Sequence, residues 1–177
     1  MGCAGPAHII RKPNPSTGMF PTNTQADSIR VSENIPVNNY KDVVLLLLGG
    51  TMNPDDQNFV KESFRNMGFF KEVLFPDDFQ RHIIQKGISD QFDDVRSFMT
   101  LNRVQKKIGN FLVVQMDEAF QGGFNYTLSA KVTDPGSGKL VFHVEQNGTN
   151  WSGLDAPLYY PVFNSVLDWI KKNGGKF

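Results

Sequence analysis

The feature that most constrains this chain is a run of six aliphatic residues, Val43 to Leu48, closed by Gly49-Gly50. A strand with one wet face alternates apolar and polar side chains. An unbroken run has no polar face to offer water, so it fits a strand covered on both sides. It is also the longest apolar run in the sequence, and a membrane-spanning helix needs roughly 20 such residues. The run is therefore a core strand and not a span.

The patterning around it gives the remaining elements. Ile29 and Val31 alternate with polar residues and predict a short strand from Ser28 to Ser32. After the core strand, Asn53-Pro54-Asp55-Asp56 is a helix start: a capping amide, a proline suited to the first helical position, and two acids that complement the positive end of the dipole. Phe59, Val60, Phe64 and Met67 follow at helical spacing, and Gly68 closes the helix. Phe69–Phe75 reads as a second core strand. Pro76-Asp77-Asp78 opens a short helix ending at Gly87, and Ser89 or Asp90 opens another that runs through Val95, Phe98 and Leu101 to Gly109. Phe111–Met116, Phe124–Val132 and Leu140–Val144 read as strands, the last two joined by Asp134-Pro135-Gly136-Ser137-Gly138 as a hairpin. Pro157 begins a closing helix that carries Tyr159, Val162, Phe163, Val166 and Ile170 on one face.

The predicted order, β-β-α-β-α-α-β-β-β-α, implies an α/β (α+β) domain. It has one mixed sheet, helices packed mainly on one face, a meander of strands late in the chain and a closing helix. Residues 1–26 stand apart. They contain Pro6, Pro13, Pro15 and Pro21, and their few apolar residues (Ile9, Ile10, Met19, Phe20) have no period, so this stretch is expected to be a flexible tether. Residues 27–177 are the domain.

Composition narrows the function. The chain has 177 residues, 40% of them apolar, with 18 basic and 18 acidic side chains. That balance lacks the basic excess of a nucleic-acid binder, and the pairs Lys106-Lys107 and Lys171-Lys172 fit the negative ends of their helices. A single cysteine rules out an internal disulfide or a multi-cysteine metal site.

No catalytic constellation emerges. Gly49-Gly50-Thr51 sits where a phosphate loop would, but it lacks the Lys-Ser/Thr pair and the spaced glycines such loops need. The acid pairs Asp55-Asp56, Asp77-Asp78 and Asp93-Asp94 each fall in the first turn of a predicted helix, where capping accounts for them. His8, His82 and His143 are too scattered to make a ligand pair. Gly136-Ser137-Gly138 is a polar turn and not a nucleophile elbow. Asn125-Tyr126-Thr127 and Asn147-Gly148-Thr149 match the glycosylation pattern of secreted eukaryotic proteins. Trp151, in the polar loop from Asn147 to Gly153, either anchors a partner or folds over the core. No enzyme activity, cofactor or metal is expected.

Cys3 stands at the extreme N-terminus ahead of the proline-rich stretch, with nothing in the chain to pair with it. Three readings fit: an acylated bacterial lipoprotein cysteine, a free thiol, or the Met-Gly-Cys of a doubly acylated eukaryotic protein, in which Pro6 replaces the usual Ser/Thr. The three residues up to Cys3 hold no basic, apolar secretion signal. The chain is therefore either cytoplasmic or has had a signal removed.

From Asp90 to Trp151 the pattern resembles bacterial envelope lipoproteins with a TolB amino-terminal-like fold. The matching features are the helix ending Lys106-Lys107-Ile108-Gly109-Asn110, the strand Phe111-Leu112-Val113-Val114, the alternating strand Tyr126–Val132 and the Asp134–Leu140 turn. Asn110 replaces the family's acid and Ser137 its Thr. The flanking Asp42–Gly68 and Pro157–Lys172 segments fit in order. The resemblance implies a non-enzymatic accessory protein on the periplasmic side of the outer membrane, with Cys3 as the lipid attachment and Ala4 favouring outer-membrane sorting. It also implies another envelope protein, or a second copy, as partner. The alternative is a small cytoplasmic ligand binder or enzyme that uses the Gly49–Thr51 turn or the Trp151 loop.

Overall fold

The computed structural model describes residues 9–49, 52–88, 94–149 and 156–177. The described elements are β1 (Ser28–Ser32), a 3-10 turn (Val37–Tyr40), β2 (Val43–Leu48), α1 (Pro54–Asn66), β3 (Glu72–Leu74), α2 (Pro76–Gln85), α3 (Phe98–Ile108), β4 (Leu112–Gly122), β5 (Asn125–Asp134), β6 (Lys139–Thr149) and α4 (Ala156–Lys172). The six strands form one mixed sheet in the order β1-β6-β5-β4-β2-β3. β2 is parallel to β3 and β4, and the remaining neighbours are antiparallel. The expected single mixed sheet with a late meander and closing helix is the observed one.

The aliphatic run behaves as its composition demands. Val44 and Leu46 point into a core under α1 and α4, while Val43 and Leu45 point into a second core with Phe79, Ile83, Leu101 and Val104 of α2 and α3. Alternate residues of one strand line opposite faces, so β2 is sealed on both sides. The larger core lies on the α1/α4 face. α2 and α3 add a smaller core on the other face.

Helix starts follow the capping logic where a cap is present. The Asn53 carboxamide oxygen accepts from the backbone amides of Asp55 and Asp56. Asp78, in the first turn of α2, pairs with Lys61 at 2.6 Å and with Arg81. The third acid pair departs from expectation. α3 begins at Phe98, and ahead of it the Asp94 carboxylate turns back to accept from the Arg96 amide; Ser89 and Asp90, the expected start, lie outside the described residues. Such a side-chain turn competes with helical hydrogen bonding. Asp94 therefore lies in a turn ahead of the helix, and Asp93 lies outside the described residues.

Two strands are longer than predicted. β4 runs on to Gly122 and β6 to Thr149, so β4 and β5 form a second long hairpin turned by Gly122, Gly123 and Phe124. All three turn residues have positive φ. Phe124 at φ 63 is the only non-glycine among the described residues to do so, a conformation that costs a bulky side chain of order 1 kcal/mol or more.

The N-terminal tether needs correction. Phe20, assigned to it on sequence grounds, is 2% exposed. Its ring stacks on Tyr160 at 5.2 Å and packs against Phe163. A lone aromatic has no period to betray it, yet α4 leaves a slot of matching shape. The segment from Asn14 to Phe20 is docked on the domain, while Ile9 stays 67% exposed.

Candidate binding surface

The long β4–β5 hairpin places one distinctive group of residues. Its final pairs are Ala119 with Thr127, Phe120 with Tyr126 and Gly122 with Asn125, and β6 continues alongside to Thr149. Period two sends Phe120 and Tyr126 to one face, where the rings meet at 5.3 Å. Gln121, Thr127 and Asn147 fall on the opposite face and are linked by hydrogen bonds of 2.8 Å, from the Gln121 amide to the Thr127 hydroxyl and from that hydroxyl to Asn147 Oδ1. The tip is thus an amphipathic three-stranded ribbon. Its aromatic face is open, with Phe120 65% exposed.

At the inner end of the same face the Tyr159 hydroxyl donates to Glu118. Burial first, then the nearby Glu118 carboxylate, pushes the Tyr159 phenol far above its usual range. Leu158 packs over Gly148, where a Cβ would fall 2.1 Å from its Cδ2. These contacts close the core where the exposed ribbon begins.

A concavity of about 610 Å³ lies at the carboxyl ends of β2 and β3 and is lined by Leu48, Gly49, Asp77, Arg96, Phe98 and Asp117 among others. β2 leaves the sheet toward α1 on one face and β3 toward α2 on the other, the kind of divergence at which open α/β sheets hold ligands. Among the described residues, three backbone amides of this loop and helix start are already used. Gly49 gives its amide to Met116 O at 2.8 Å, and the first free amides of α1 go to Asn53. Asp117 accepts from Gln115 Nε2 at 2.9 Å. The Gly49–Thr51 turn is accordingly a strand exit at Gly49, and Gly50-Thr51 lie outside the described residues.

The remaining sequence candidates fall out as follows. His82 and His143 each face a single carboxylate at 3.3 Å, Glu72 and Glu145 respectively. Burial, helped by Lys131 and Arg30, lowers the His143 imidazole pKa against the pull of Glu145. Ser137 donates its hydroxyl to Asp134 Oδ2 at 2.7 Å and serves the turn. Cys3, His8 and Trp151 lie outside the described residues. Sequence reasoning missed Phe120 because Asp117–Gly122 breaks the aliphatic pattern and reads as a connection. The glycine pair Gly122-Gly123 ahead of an alternating strand is the hairpin signal that could have found it.

The fold is a single mixed six-stranded sheet with four helices among the described residues. No family model and no curated protein matches the chain. Among solved structures it is similar to the LpoB C-terminal domain from Salmonella enterica, with 13% identity over 63% of this chain and 85% of that one, at a TM-score of 0.41. It is also similar to the PelC dodecamer from Paraburkholderia phytofirmans (12%, 80% and 96%, 0.44). A third is lipoprotein GNA1162 from Neisseria meningitidis (11%, 74% and 96%, 0.43). These neighbours include bacterial envelope lipoproteins, the class that the sequence pattern resembles. At such identities and scores no residue role transfers from them.

Proposed function

We propose that the protein is a non-enzymatic accessory lipoprotein of the bacterial envelope, anchored through Cys3 on the periplasmic side of the outer membrane, that binds another envelope protein through the β4–β5 ribbon. The observation that carries the binding role is Phe120, held 65% exposed beside Tyr126 on a hydrogen-bonded β-ribbon. Large aromatics on rigid elements lose little entropy on association and dominate interface energetics. Ordinary sheet-edge pairing has less support. β3 has three residues, and β1 has five with an irregularity between Ile29 and Val31, the short and kinked form that blunts an edge.

Phe120→Ala tests the surface. Thermal unfolding stays within about 0.5 kcal/mol of wild type, as for other exposed positions. Recovery of a crosslinked envelope partner falls in step with a loss of roughly 2 kcal/mol in binding. Unchanged recovery removes the ribbon from the interface. Trp151→Ala runs in the same assay, with Trp151 proposed as a second contact.

The anchor is tested separately. Metabolic labelling with a palmitate analogue marks the wild type and leaves Cys3→Ser blank, and equal label in both rejects acylation at Cys3. With the segment from Asn14 docked, the tether proper is proposed to end near Pro13.

A further inference from the structure

Basic and acidic side chains balance over the whole chain but not along α3. From Val95 to Met116 the sequence holds Arg96, Arg103, Lys106 and Lys107 and no acid. The helix dipole favours basic residues in the last turn. It explains Lys106 and Lys107, but not Arg96 ahead of the helix or Arg103 in its middle. Asp94, the nearest acid before Arg96 in sequence, accepts from the Arg96 main-chain amide. The ion pairs of the described residues lie elsewhere, and none involves these four basic side chains.

The same helix holds apolar side chains out in solvent. Leu101 and Val104 are buried in the smaller core, with Ile108 packed beside them. On the opposite side of the helix Met99, Arg103 and Lys106 recur at i, i+4 and i+7, one exposed stripe. Met99 is 72% exposed and Phe98, in the same first turn, 45%. Phe98 and Arg96 share the rim of the concavity at the ends of β2 and β3. α2, which packs on the same core, adds an exposed Ile84 and Lys86. A soluble polyanion uses the charges and gives Met99 and Ile84 no role, and protein interfaces are depleted in lysine. A lipid surface uses both kinds of side chain. Apolar tips enter the acyl boundary while the long basic side chains reach the headgroups.

We infer that the outward face of α3 docks on a bilayer surface that carries anionic phospholipid. Met99 and Phe98 insert, and Arg96, Arg103, Lys106 and Lys107 meet the headgroups. Each basic side chain near such a surface is worth roughly fivefold in partitioning, so the contact acts without any lipid on the chain itself. It also sets an orientation. Alternation along β4 puts Phe120 on the same face as Met116, which belongs to the α1/α4 core, whereas α3 covers the other face. Docking through α3 therefore turns the aromatic side of the ribbon away from the bilayer. The use of that orientation rests on the partner-binding reading above; the lipid contact does not.

The test uses the unlipidated full-length chain, so its failure leaves the Cys3 and ribbon readings standing. Co-sedimentation is measured at low salt with vesicles of phosphatidylethanolamine and phosphatidylglycerol, and with vesicles of phosphatidylcholine alone. Wild type partitions to the anionic vesicles at least about tenfold better, and the preference fades at about 1 M salt as screening shortens. An Arg103→Gln, Lys106→Gln double variant binds roughly 25-fold more weakly. Met99→Ser, with charge unchanged, binds about fivefold more weakly. A Lys172→Gln, Lys176→Gln control removes the same charge at the end of the chain and binds like wild type. All five positions are exposed, so the melting temperatures stay close to that of wild type. Equal partitioning to both kinds of vesicle overturns the inference, as does an equal loss in the two double variants or a Met99→Ser chain that binds like wild type. Binding to a single-stranded oligonucleotide with none to the vesicles also overturns it and assigns the surface to a soluble polyanion.

Discussion

Phe163→Ala lowers the stability of the domain by about 3–5 kcal/mol, read as a fall in melting temperature of roughly 6–20 °C for a chain of this size. Phe163 is fully buried at the centre of the main core. Its ring lies 5.7–5.9 Å from those of Phe20, Phe59, Phe64 and Tyr159, which arrive from the N-terminal segment, α1 and α4. Removing it opens a cavity that these rings do not readily fill, since Phe20, Phe59 and Tyr159 are each held by a second aromatic contact. The same change frees Phe20, so protease sensitivity before β1 rises along with the loss of stability. A loss below about 1 kcal/mol would mean that the cluster repacks, and that the rings are less constrained than their mutual geometry implies. Phe163→Leu keeps most of the volume and gives a smaller loss.

Asp134→Ala is expected to cost about 2–3 kcal/mol, through polar groups left without partners and not through lost volume. The carboxylate, 8% exposed, accepts from the amides of Gly136 and Ser137, the Ser137 hydroxyl and Gln105 Nε2. Asn102 secures the same turn by donating to the carbonyls of Pro135 and Gly136 at 2.8 Å. Asp134 is therefore the bolt between the β5–β6 hairpin and α3. Burial acts to raise its pKa, but the hydrogen bonds from Ser137, Gln105 and Gly136 outweigh it and hold the carboxyl below its ordinary value.

The sign of the pH effect follows. A carboxylate whose folded pKa is depressed adds stability above its unfolded pKa and loses it as pH falls through the folded value. Wild type should thus lead Asp134→Asn at pH 6, with the lead shrinking below about pH 4 as the unfolded-state value is passed. Denaturant melts of the two proteins at pH 6, 4 and 3 check this. A gap that stays constant across that range shows that the charge is not what the turn uses. Asp42 and Asp78 are also depressed, by Lys71 and Lys61 foremost. Both proteins therefore keep an acid limb, and only the difference between them isolates Asp134.

The elements most legible in the sequence are those whose signal is local. The Asn53 cap, the aliphatic β2 and the Asp134–Gly138 turn each depend on residues within a few positions of one another. The Asp134 turn was recognised as a hairpin, and its serine as a turn residue, from composition alone. Where prediction slipped, the deciding interaction was non-local or lacked a period. Val95 fits a helical stripe by spacing, yet residues 94–97 are a turn in which the Asp94 side chain accepts from the Arg96 amide, so among the described residues the helix starts only at Phe98. The second hairpin was missed because Glu118 and Gln121 look like a linker until β5 and β6 lie beside them. Neither Cys3 nor Trp151, the residues singled out for function, falls among the described residues. The surface residue that carries the binding proposal, Phe120, was not singled out.

From its own pattern the chain determines a sheet with a strand sealed on both faces, helices between the early strands, a meander late in the chain and a closing amphipathic helix. Hydrophobic periodicity and capping are properties of adjacent residues, and water enforces them wherever the segment ends up. Tertiary structure alone decided that Phe20 is a core residue while Phe120 is a surface one. Both are lone phenylalanines in polar surroundings. What separates them is whether another element, distant in sequence, offers a slot: α4 does so for Phe20 with Tyr160, Phe163 and Asn164, and leaves Phe120 in solvent.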